Sequence, residues 1–302
     1  MLSKEFKDIK SAIEASPLED GMTISFHHHL RNGDYVLNRV MSAISDLGHR
    51  DLTVNASALF PCHKPLLDHV AQGVVSGLEC NYMDRALGEK FSRGLLEKPI
   101  IFRSHGGRPA DLQRGESKID IAFIAASAAD AAGNCNGFTG KSAFGSIGYA
   151  MADAAFADYV IIISDQKSTY PLEHSSIDES LVDAVVFVDS IGNPEKIVSG
   201  TTRVTRDPIG LLMADFAVDA IDASGLLQNG FSFQTGAGGA SLAVAQGLNQ
   251  RMLSQEIQGS FASGGITGML VDMLNTGMFQ KLLDVQCFDR AAVKSIAENK
   301  RH

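Results

Sequence analysis

The sequence of 302 residues has no tryptophan and only four cysteines, and these absences narrow the classes of protein to consider. The cysteines are Cys62, Cys80, Cys135 and Cys287, and no two of them form a C-x-x-C pair or another spacing typical of a zinc site. We therefore expect reduced thiols and no disulfide framework, as is usual in a cytosolic protein.

An excess of basic residues is also missing, since 26 Lys and Arg stand against 35 Asp and Glu, for a net charge of −9. Nucleic-acid binding relies on clustered basic side chains that neutralise phosphates. No apolar run approaches the roughly 20 residues that a membrane-spanning helix needs, and the N-terminus "MLSKEFKDIKSAIE" lacks the apolar core of a signal peptide. We expect a cytoplasmic protein with neither a nucleic-acid nor a membrane partner.

The residues that are present indicate an ordinary globular protein, with 45% hydrophobic and 20% charged residues and a length that suits about two domains. Seven short runs rich in β-branched residues predict strands: "MTISF", "DLTVNAS", "VVSGLEC", "IIFRS", "IDIAFIAAS", "YVIIIS" and "AVVFVD". Between them, "DYVLNRVMSAISDLG" and "DRALGEKFSRGLL" have helical spacing, the first with Asp34 as its N-cap and Gly48 as its stop. Apolar strands alternating with helices predict an α/β fold with an open parallel or mixed sheet covered by helices.

The chain starts a second, similar pattern after "ASGLLQNG", so we predict a first α/β domain over residues 1–224 and the start of a second over 225–302. In both segments a strand, a loop, a helix and a strand follow one another at nearly the same spacing. A Ser-Phe pair precedes each loop, as Ser25-Phe26 and Ser232-Phe233. The second segment is short for a closed α/β domain, and we expect it to be incomplete.

The loop "QTGAGGAS" follows a predicted strand and opens a helix, and its glycines are Gly236, Gly238 and Gly239. Backbone N–H groups that converge at a helix N-terminus bind phosphate or stabilise an oxyanion. The loop is neither a Walker A motif, because no Gly-Lys-Ser/Thr follows, nor a dinucleotide fingerprint, because Ser241 takes the place of its last glycine. The alternative is tight packing between strand and helix that only glycine permits.

The motif "SHGGRP" at residues 104–109 ends another predicted strand. Its glycines open the backbone, and Arg108 is a bidentate donor suited to a carboxylate or a phosphate. An ordinary turn with a solvated arginine is the alternative interpretation.

The polar loop "DAAGNCNGFTGKSAFGS" at residues 130–146 implies consecutive turns. Thr139, Lys141 and Ser142 could contact an anion there. Cys135 has no histidine nearby in the sequence, so we interpret it as a plain loop thiol rather than a nucleophile.

Three consecutive histidines, His27 to His29, follow the first apolar strand. Adjacent side chains in an extended segment point to opposite sides, so the three cannot easily share one metal ion, and no H-x-x-x-H or H-E-x-x-H spacing exists here. They lie where open α/β sheets bind ligands, and we interpret them as groups that contact substrate. One buried histidine with two solvated ones is the alternative.

Five dispersed segments carry a more specific signal: "DGMTISFHHHLRNGD", "FSRGLLEKPIIFRSHGGR", "GNCNGFTGKSAFGSIGYA", "GFSFQTGAGGASLAV" and "FASGGITGMLVDM…KLLDVQCFD". In order and spacing, across nearly the whole chain, the sequence resembles the citrate lyase α-subunit (citrate CoA-transferase) family. The resemblance implies CoA-transferase-type domains and exchange of acetate for citrate on an acyl-carrier-protein thioester during citrate fermentation.

The resemblance also implies the partners. The thioester is carried on a phosphopantetheine-type (dephospho-CoA-derived) group of a γ subunit, or on CoA, and a β subunit then cleaves the citryl thioester. We expect this subunit to bind neither a tightly held cofactor nor a metal. We also expect it to form a homo-oligomer. Family members are longer, so the chain is expected to lack the C-terminal part of the second domain.

Related CoA-transferases that form a glutamyl thioester carry that glutamate on the strand after the second glycine-rich loop, where this chain has "GSFASGGIT" and no glutamate. This implies transfer without an enzyme-glutamyl thioester, with Gly238 and Gly239 as the catalytic oxyanion donors. The residues expected to bind substrate are His27, His28, His29, Arg31, Ser104, His105, Gly106, Gly107, Arg108, Asn134, Asn136, Thr139, Lys141, Gln234, Thr235, Gly236, Ser263, Gly264 and Gly265. The alternative functions are a non-enzymatic metabolite-binding protein of the same α/β type and a histidine-loop metallohydrolase.

Overall fold

The computed structural model of the protein describes residues 3–198, 203–236 and 238–302, and these form two compact units. The first unit takes Met1–Ala143 and Ile147–Lys196, and the second takes Phe144–Ser146 and Ile197–His302. Among the described residues, no helix is both long enough and apolar enough to span a membrane.

The first unit is built on one sheet of eight strands that are all parallel. Its strands are β1 (Glu5–Phe6), β2 (Thr23–Phe26), β3 (Leu52–Ala56), β4 (Val75–Cys80), β5 (Ile101–Phe102), β6 (Ile121–Ala126), β9 (Tyr159–Ser164) and β10 (Ala184–Phe187). A small antiparallel pair, β7 (Ala128–Ala129) and β8 (Cys135–Asn136), lies beside it. The order in the large sheet is β1-β10-β9-β6-β2-β3-β4-β5. All seven predicted strands are present, and the predicted α/β class is confirmed.

Helices connect these parallel strands, because a parallel pair needs a crossover. They are α1 (Ile9–Ala15), α2 (Val36–Asp46), α3 (Leu66–Ala71), α4 (Arg85–Lys90), α5 (Gly107–Arg114) and α6 (Ala150–Phe156). Strands β6 and β9 at the centre are buried along almost their whole length, which explains their continuous apolar sequences. Phe26 and Phe123 stack within this core, with ring centroids 5.5 Å apart.

The termini of two predicted helices have clear local causes. The N-cap of α2 is Tyr35 and not the predicted Asp34, although the Asp34 carboxylate one residue earlier accepts hydrogen bonds from the N–H groups of Val36 and Leu37 at 3.2 and 3.3 Å. The stop at Gly48 is confirmed, with a φ of +89°. The second predicted helix is shorter than expected because a π-turn replaces it after Lys90, with Gly94 at a φ of +82°.

The second unit has three parallel strands in the order β11-β12-β13 and four helices among its described residues. These are α7 (Pro208–Ala223), β11 (Ser232–Thr235), α8 (Gly239–Ser254), β12 (Gly259–Ile266), α9 (Gly268–Asn275), β13 (Phe279–Cys287) and α10 (Arg290–Glu298). The predicted boundary at residues 224 and 225 lies inside this unit, because α7 packs along α8. The order β11-α8-β12, with its strands parallel and adjacent, matches the order β2-α2-β3 in the first unit.

Candidate functional site

The three histidines follow directly after β2, and each is only 6–7% exposed. The rings of His27 and His29 stack with centroids 5.5 Å apart and planes 13° apart. His28 makes a different set of contacts, with its Nδ1 atom 2.6 Å from the Ser57 hydroxyl and its ring 5.6 Å from that of Phe60. This alternation agrees with the reasoning that three adjacent residues in an extended segment do not converge on one point.

A buried aspartate on α6 holds His27 in place. The Nε2 atom of His27 lies 2.8 Å from Oδ2 of Asp153, and Arg108 contacts both oxygens of the same carboxylate at 2.5 and 2.7 Å. The Nε–H of Arg108 donates to Oδ1 of Asn55 at 2.9 Å. Arg108 is 1% exposed and Asp153 is completely buried. We call His27, His29, Arg108 and Asp153 the histidine cluster.

The charges in this cluster follow from burial and pairing. Burial raises the pKa of Asp153, but His27 and Arg108 outweigh burial and hold that pKa well below its ordinary value. Burial lowers the pKa of His27, and Asp153 opposes this only in part. Burial also lowers the pKa values of His28 and His29 well below 6.5. Burial therefore favours the neutral form of all three histidines.

The hydrogen bond to Asp153 fixes the tautomer of His27. A neutral imidazole that donates from Nε2 has an acceptor at Nδ1. Nδ1 of His27 is buried and has no hydrogen-bond partner within residues 3–198, 203–236 and 238–302. The arrangement can therefore accept a proton or a hydrogen bond at one defined atom.

Arg31 lies one short turn beyond the histidines and has the left-handed backbone conformation, with a φ of +52°. Its side chain is buried, and its guanidinium carbon lies 5.0 Å from the centre of the Phe60 ring. Burial lowers its pKa. The predicted residues His28 and Arg31 thus share the ring of Phe60, a cation–π arrangement that keeps the arginine next to the histidines.

The segment before α5 divides into exposed and buried parts. Ser104 is exposed, and its hydroxyl accepts a hydrogen bond from the N–H of Gly107 at 3.0 Å. His105 is exposed and stacks on Tyr149, with centroids 5.7 Å apart. Arg108, by contrast, is buried, and its guanidinium donates hydrogen bonds to Asp153 and Asn55. Its placement indicates that it orients Asp153.

The predicted residues of the 130–146 loop mainly hold that loop together. The amide of Asn134 donates to Asp130 and Glu179 at 2.9 and 2.8 Å. The side-chain oxygen of Asn136 accepts from the N–H and hydroxyl of Thr139. Polar groups already engaged in this way are suited to structure rather than to a ligand.

Two further residues of this loop differ in their exposure to solvent. The exposed Lys141 donates to the carbonyl of Asp189 at 2.7 Å. Cys135 is completely buried, and burial raises the pKa of its thiol, which disfavours the thiolate that a nucleophile requires.

The glycine-rich loop of the second unit is described except for Ala237. Gly238 has a φ of +149° and precedes α8, and Gly236 before it is exposed. Gly239 packs against Thr205, since a Cβ atom there would lie 2.9 Å from the Thr205 nitrogen. The carbonyl of Gly239 also accepts a hydrogen bond from that nitrogen at 3.0 Å. Gly239 thus packs closely against Thr205, whereas a Cβ atom at Gly236 or Gly238 would make only an ordinary van der Waals contact with the Ser241 hydroxyl.

Three predicted residues meet at a cleft of about 490 Å³ in the second unit. Its lining consists of Gln234, Ser263, Gly264, Leu282, Leu283, Asp284, Val285, Ile296 and His302. Gln234 pairs with Ser263, and the buried Thr235 with Gly264, across the two parallel strands. Gly264 has a φ of +108° at a bulge in β12, whereas a Cβ at Gly265 would lie 2.1 Å from the ring of Phe288. Gly265 is thus required for packing.

The comparisons with known proteins agree with this architecture. Residues 3–302 match the family described as citrate lyase, alpha subunit (CitF). The chain belongs to the citrate lyase alpha subunit family. It is 45% identical to the citrate lyase alpha chain of Escherichia coli (strain K12) over 295 residues, which are 98% of this chain and 58% of that one. The chain therefore spans about three fifths of the length of this relative.

Solved structures extend the comparison to the fold. A crystal structure of the alpha subunit of citrate lyase from Streptococcus mutans, in complex with citrate, superposes with a TM-score of 0.96 at 44% identity. It covers 100% of this chain, which corresponds to 59% of that one. An acyl-CoA transferase from E. coli O157:H7 gives a TM-score of 0.59 at 13% identity, covering 97% of this chain and 74% of that one. At this low identity the second likeness shows only that the chain has a CoA-transferase-like fold.

Sequence reasoning missed Asp153 and Asn55, although both position the groups that it selected. A signal was available for Asp153, because it is the only charged residue in the small apolar helix "AMADAAF". A lone carboxylate on the buried side of such a helix requires a partner. The identity of that partner was not available from the sequence, since Arg108 lies 45 residues away along the chain.

Proposed function

We propose that this protein is the citrate CoA-transferase subunit of a citrate lyase and exchanges acetate for citrate on the thioester of an acyl carrier subunit. The observation that carries the proposal is the TM-score of 0.96, over the whole chain, with a citrate lyase alpha subunit in complex with citrate. Membership of the same family over residues 3–302 supports it. The proposed partners are the acyl carrier and β subunits.

The reaction can proceed without a covalent bond to the protein. A carboxylate of citrate attacks the acetyl carbonyl, the thiolate of the carrier leaves, and a mixed citryl–acetyl anhydride forms. The thiolate then attacks the citryl carbonyl of the anhydride, and acetate leaves. The absence of glutamate from β12, Gly259–Ile266, supports this route over a glutamyl thioester.

Both steps place negative charge on a carbonyl oxygen, so the protein must hold two reactants together and stabilise an oxyanion. We assign the oxyanion role to the backbone N–H groups of Gly238 and Gly239 at the start of α8. We assign the acyl group to the cleft of the same unit that is lined by Gln234, Ser263 and Gly264.

The histidine cluster supports the binding of citrate itself. Neutral histidines can donate N–H groups to carboxylates without the cost of burying additional positive charge. We assign Nδ1 of His27 to accept a hydrogen bond from the hydroxyl of citrate, because Asp153 fixes the ring with that atom as an acceptor. Arg31, held against Phe60, is assigned to a carboxylate.

A transfer assay tests the reaction. The chain is mixed with acetylated acyl carrier subunit, β subunit and citrate, and the release of acetate and oxaloacetate is measured, with the E. coli relative as a positive control. We expect acetate release that depends on this chain. The assay is run with the chain alone and with the chain extended by the remaining segment of its relative. If both bind citrate in a calorimeter and neither releases acetate, the non-enzymatic alternative is favoured.

Two further measurements test the assigned roles. His27→Gln removes the oriented acceptor and is expected to weaken citrate binding about 10-fold, or about 1.4 kcal/mol, whereas the matched control His69→Gln on α3 leaves it unchanged. Equal binding by both variants would contradict the role given to His27. Mass spectrometry of the protein after turnover is expected to find no acyl adduct, and a carrier thiol bonded to a glutamyl side chain would contradict the direct route.

A further inference from the structure

Three side chains of different chemistry converge at the end of β13 in the second unit. The ligand atoms of Asp284, Cys287 and His302 all lie within 4.8 Å of one another. Nε2 of His302 is 3.4 Å from Oδ2 of Asp284, and Sγ of Cys287 is 2.7 Å from the same oxygen. A carboxylate, a thiol and an imidazole together form a set of ligands that a borderline-soft divalent ion prefers.

The polar atoms of this group are buried to an unusual degree. The side chains of His302 and Asp284 are 0% and 1% exposed, and Cys287 is completely buried. Oδ1 of Asp284 and both ring nitrogens of His302 have no hydrogen-bond partner within the described residues. Leaving buried polar groups unsatisfied is costly, and three such atoms in one place point to a ligand that binds them.

We infer that Asp284, Cys287 and His302 bind a zinc ion and leave one coordination position open. Zinc ligands lie at about 2.0–2.3 Å in a tetrahedral arrangement, which places nitrogen and oxygen ligands about 3.3 Å apart, and sulfur and oxygen about 3.5 Å. The 3.4 Å between His302 and Asp284 already fits. Cys287 must move away from Asp284 by less than 1 Å, and its thiol proton leaves as the metal binds.

The backbone fixes two of the ligands in place. The carbonyl of Arg301 accepts a hydrogen bond from the N–H of Leu282 on β13 at 2.8 Å, and the N–H of His302 donates to Asn299 at 2.9 Å. These bonds hold the segment after α10 beside the strand that carries Asp284. On the other side, a Cβ atom at Gly145 would lie 2.1 Å from Sγ of Cys287, so the backbone there packs directly against the thiol.

Two of the three ligand residues also border a cleft. Asp284 and His302 line the cleft of about 490 Å³ that also contains Gln234 and Ser263. Three protein ligands with an open position are the arrangement of a zinc ion that binds an exchangeable ligand. We expect that position to take water or the carboxylate of a small acid. This inference does not depend on the citrate-transfer role proposed above.

This arrangement has neither the C-x-x-C nor the paired-histidine spacing that marks a metal site in a sequence, which is why none was predicted. Here the first two ligands form an Asp-x-x-Cys motif and the third comes from a different element, beyond α10. Only the fold brings them together.

Metal binding to the purified chain tests the inference. The protein is stripped with a chelator and titrated with Zn²⁺ in a calorimeter, and in parallel with Co²⁺, whose bond to a thiolate gives a charge-transfer absorption in the near ultraviolet. We expect one ion per chain, an absorption that Cys287→Ser removes, and at least a 10-fold loss of affinity in Asp284→Asn and His302→Gln. The control variants Cys62→Ser and His69→Gln change the same residue types elsewhere and are expected to keep the site.

A thermal melt of the wild-type protein with and without Zn²⁺ provides a second readout that does not depend on the variants. Zinc is expected to raise the melting temperature of the wild-type protein, because an ion that binds only the folded state stabilises it. The inference is overturned if the stripped protein binds less than stoichiometric zinc. It is also overturned if binding persists in all three ligand variants, or if the cobalt absorption is lost in Cys62→Ser but not in Cys287→Ser.

Discussion

Asp153→Asn is the substitution that most directly tests how the histidine cluster is built. It keeps the size of the side chain but removes the negative charge that pairs with Arg108 and His27. The guanidinium of Arg108 is 1% exposed, so it would stay buried without a counterion. The carboxylate of Asp153 is ionised at pH 7 because its pKa is held below the ordinary value of 3.8.

The expected loss of stability is large. Breaking a buried ion pair by removing one partner costs about 3–5 kcal/mol. For a domain of 150–250 residues, each kcal/mol shifts the melting temperature by about 2–4 °C, so we expect a decrease of about 6–20 °C. The contribution of Asp153 is present above pH 3.8, the ordinary carboxyl pKa, and is lost as the pH falls below it through the lowered pKa of the folded state.

Thermal and urea unfolding at pH 7, followed by circular dichroism, measure this loss. The matched control is Asp158→Asn, which removes the same charge from an exposed pair with Lys118 and is expected to cost less than about 1 kcal/mol. The double variant Arg108→Met with Asp153→Leu removes both charges and is expected to cost less than Asp153→Asn alone. Equal losses in Asp153→Asn and the control would refute the reasoning.

Two other expectations concern stability. Burial lowers the pKa values of His28 and His29 well below 6.5, so the unfolded state binds more protons in acid, and stability is expected to fall below pH 6.5 by about 1.4 kcal/mol per pH unit for each histidine. Urea midpoints between pH 5 and 7 check this, and an unchanged slope in His29→Gln would contradict it. Gly140→Ala is expected to cost more than about 3 kcal/mol, because its φ is +90° and its Cβ would lie 2.3 Å from the carbonyl oxygen of Ser127. Gly73→Ala, with a φ of +73° and open space, is expected to cost about 1 kcal/mol in the same assay, and equal costs would show that the close contact does not matter.

The sheet was largely predictable because its strands have local signatures. The apolar runs that become β6 and β9 are buried on both faces, and no polar alternation obscures them. Strand β1 was missed because two residues are too few to show a hydrophobic period, and only its pairing with β10 defines it as a strand. The compact units divide the chain near residue 197, whereas the predicted boundary lies at residues 224 and 225, and the packing of α7 on α8 cannot be inferred from either helix alone.

The candidate site was predictable in position but not in its connections. The alternation of an extended segment correctly separated His28 from its two neighbours. The burial of Arg108 was not expected, because a glycine-flanked arginine at the end of a strand is usually solvated. Its burial depends on its ion pair with Asp153 on α6, and only the tertiary fold brings these two residues together.

The pairing of the first strand with β10 sets an order of events during synthesis on the ribosome. Glu5 and Phe6 pair with Val185 and Val186, about 180 residues later in the chain. At a translation rate of about 5–20 residues per second, β1 waits about 10–40 s for its neighbour. A nascent chain halted before residue 184 would therefore present a six-stranded sheet with the apolar strand β9 as its open edge, and a co-translational chaperone would meet the protein in that form.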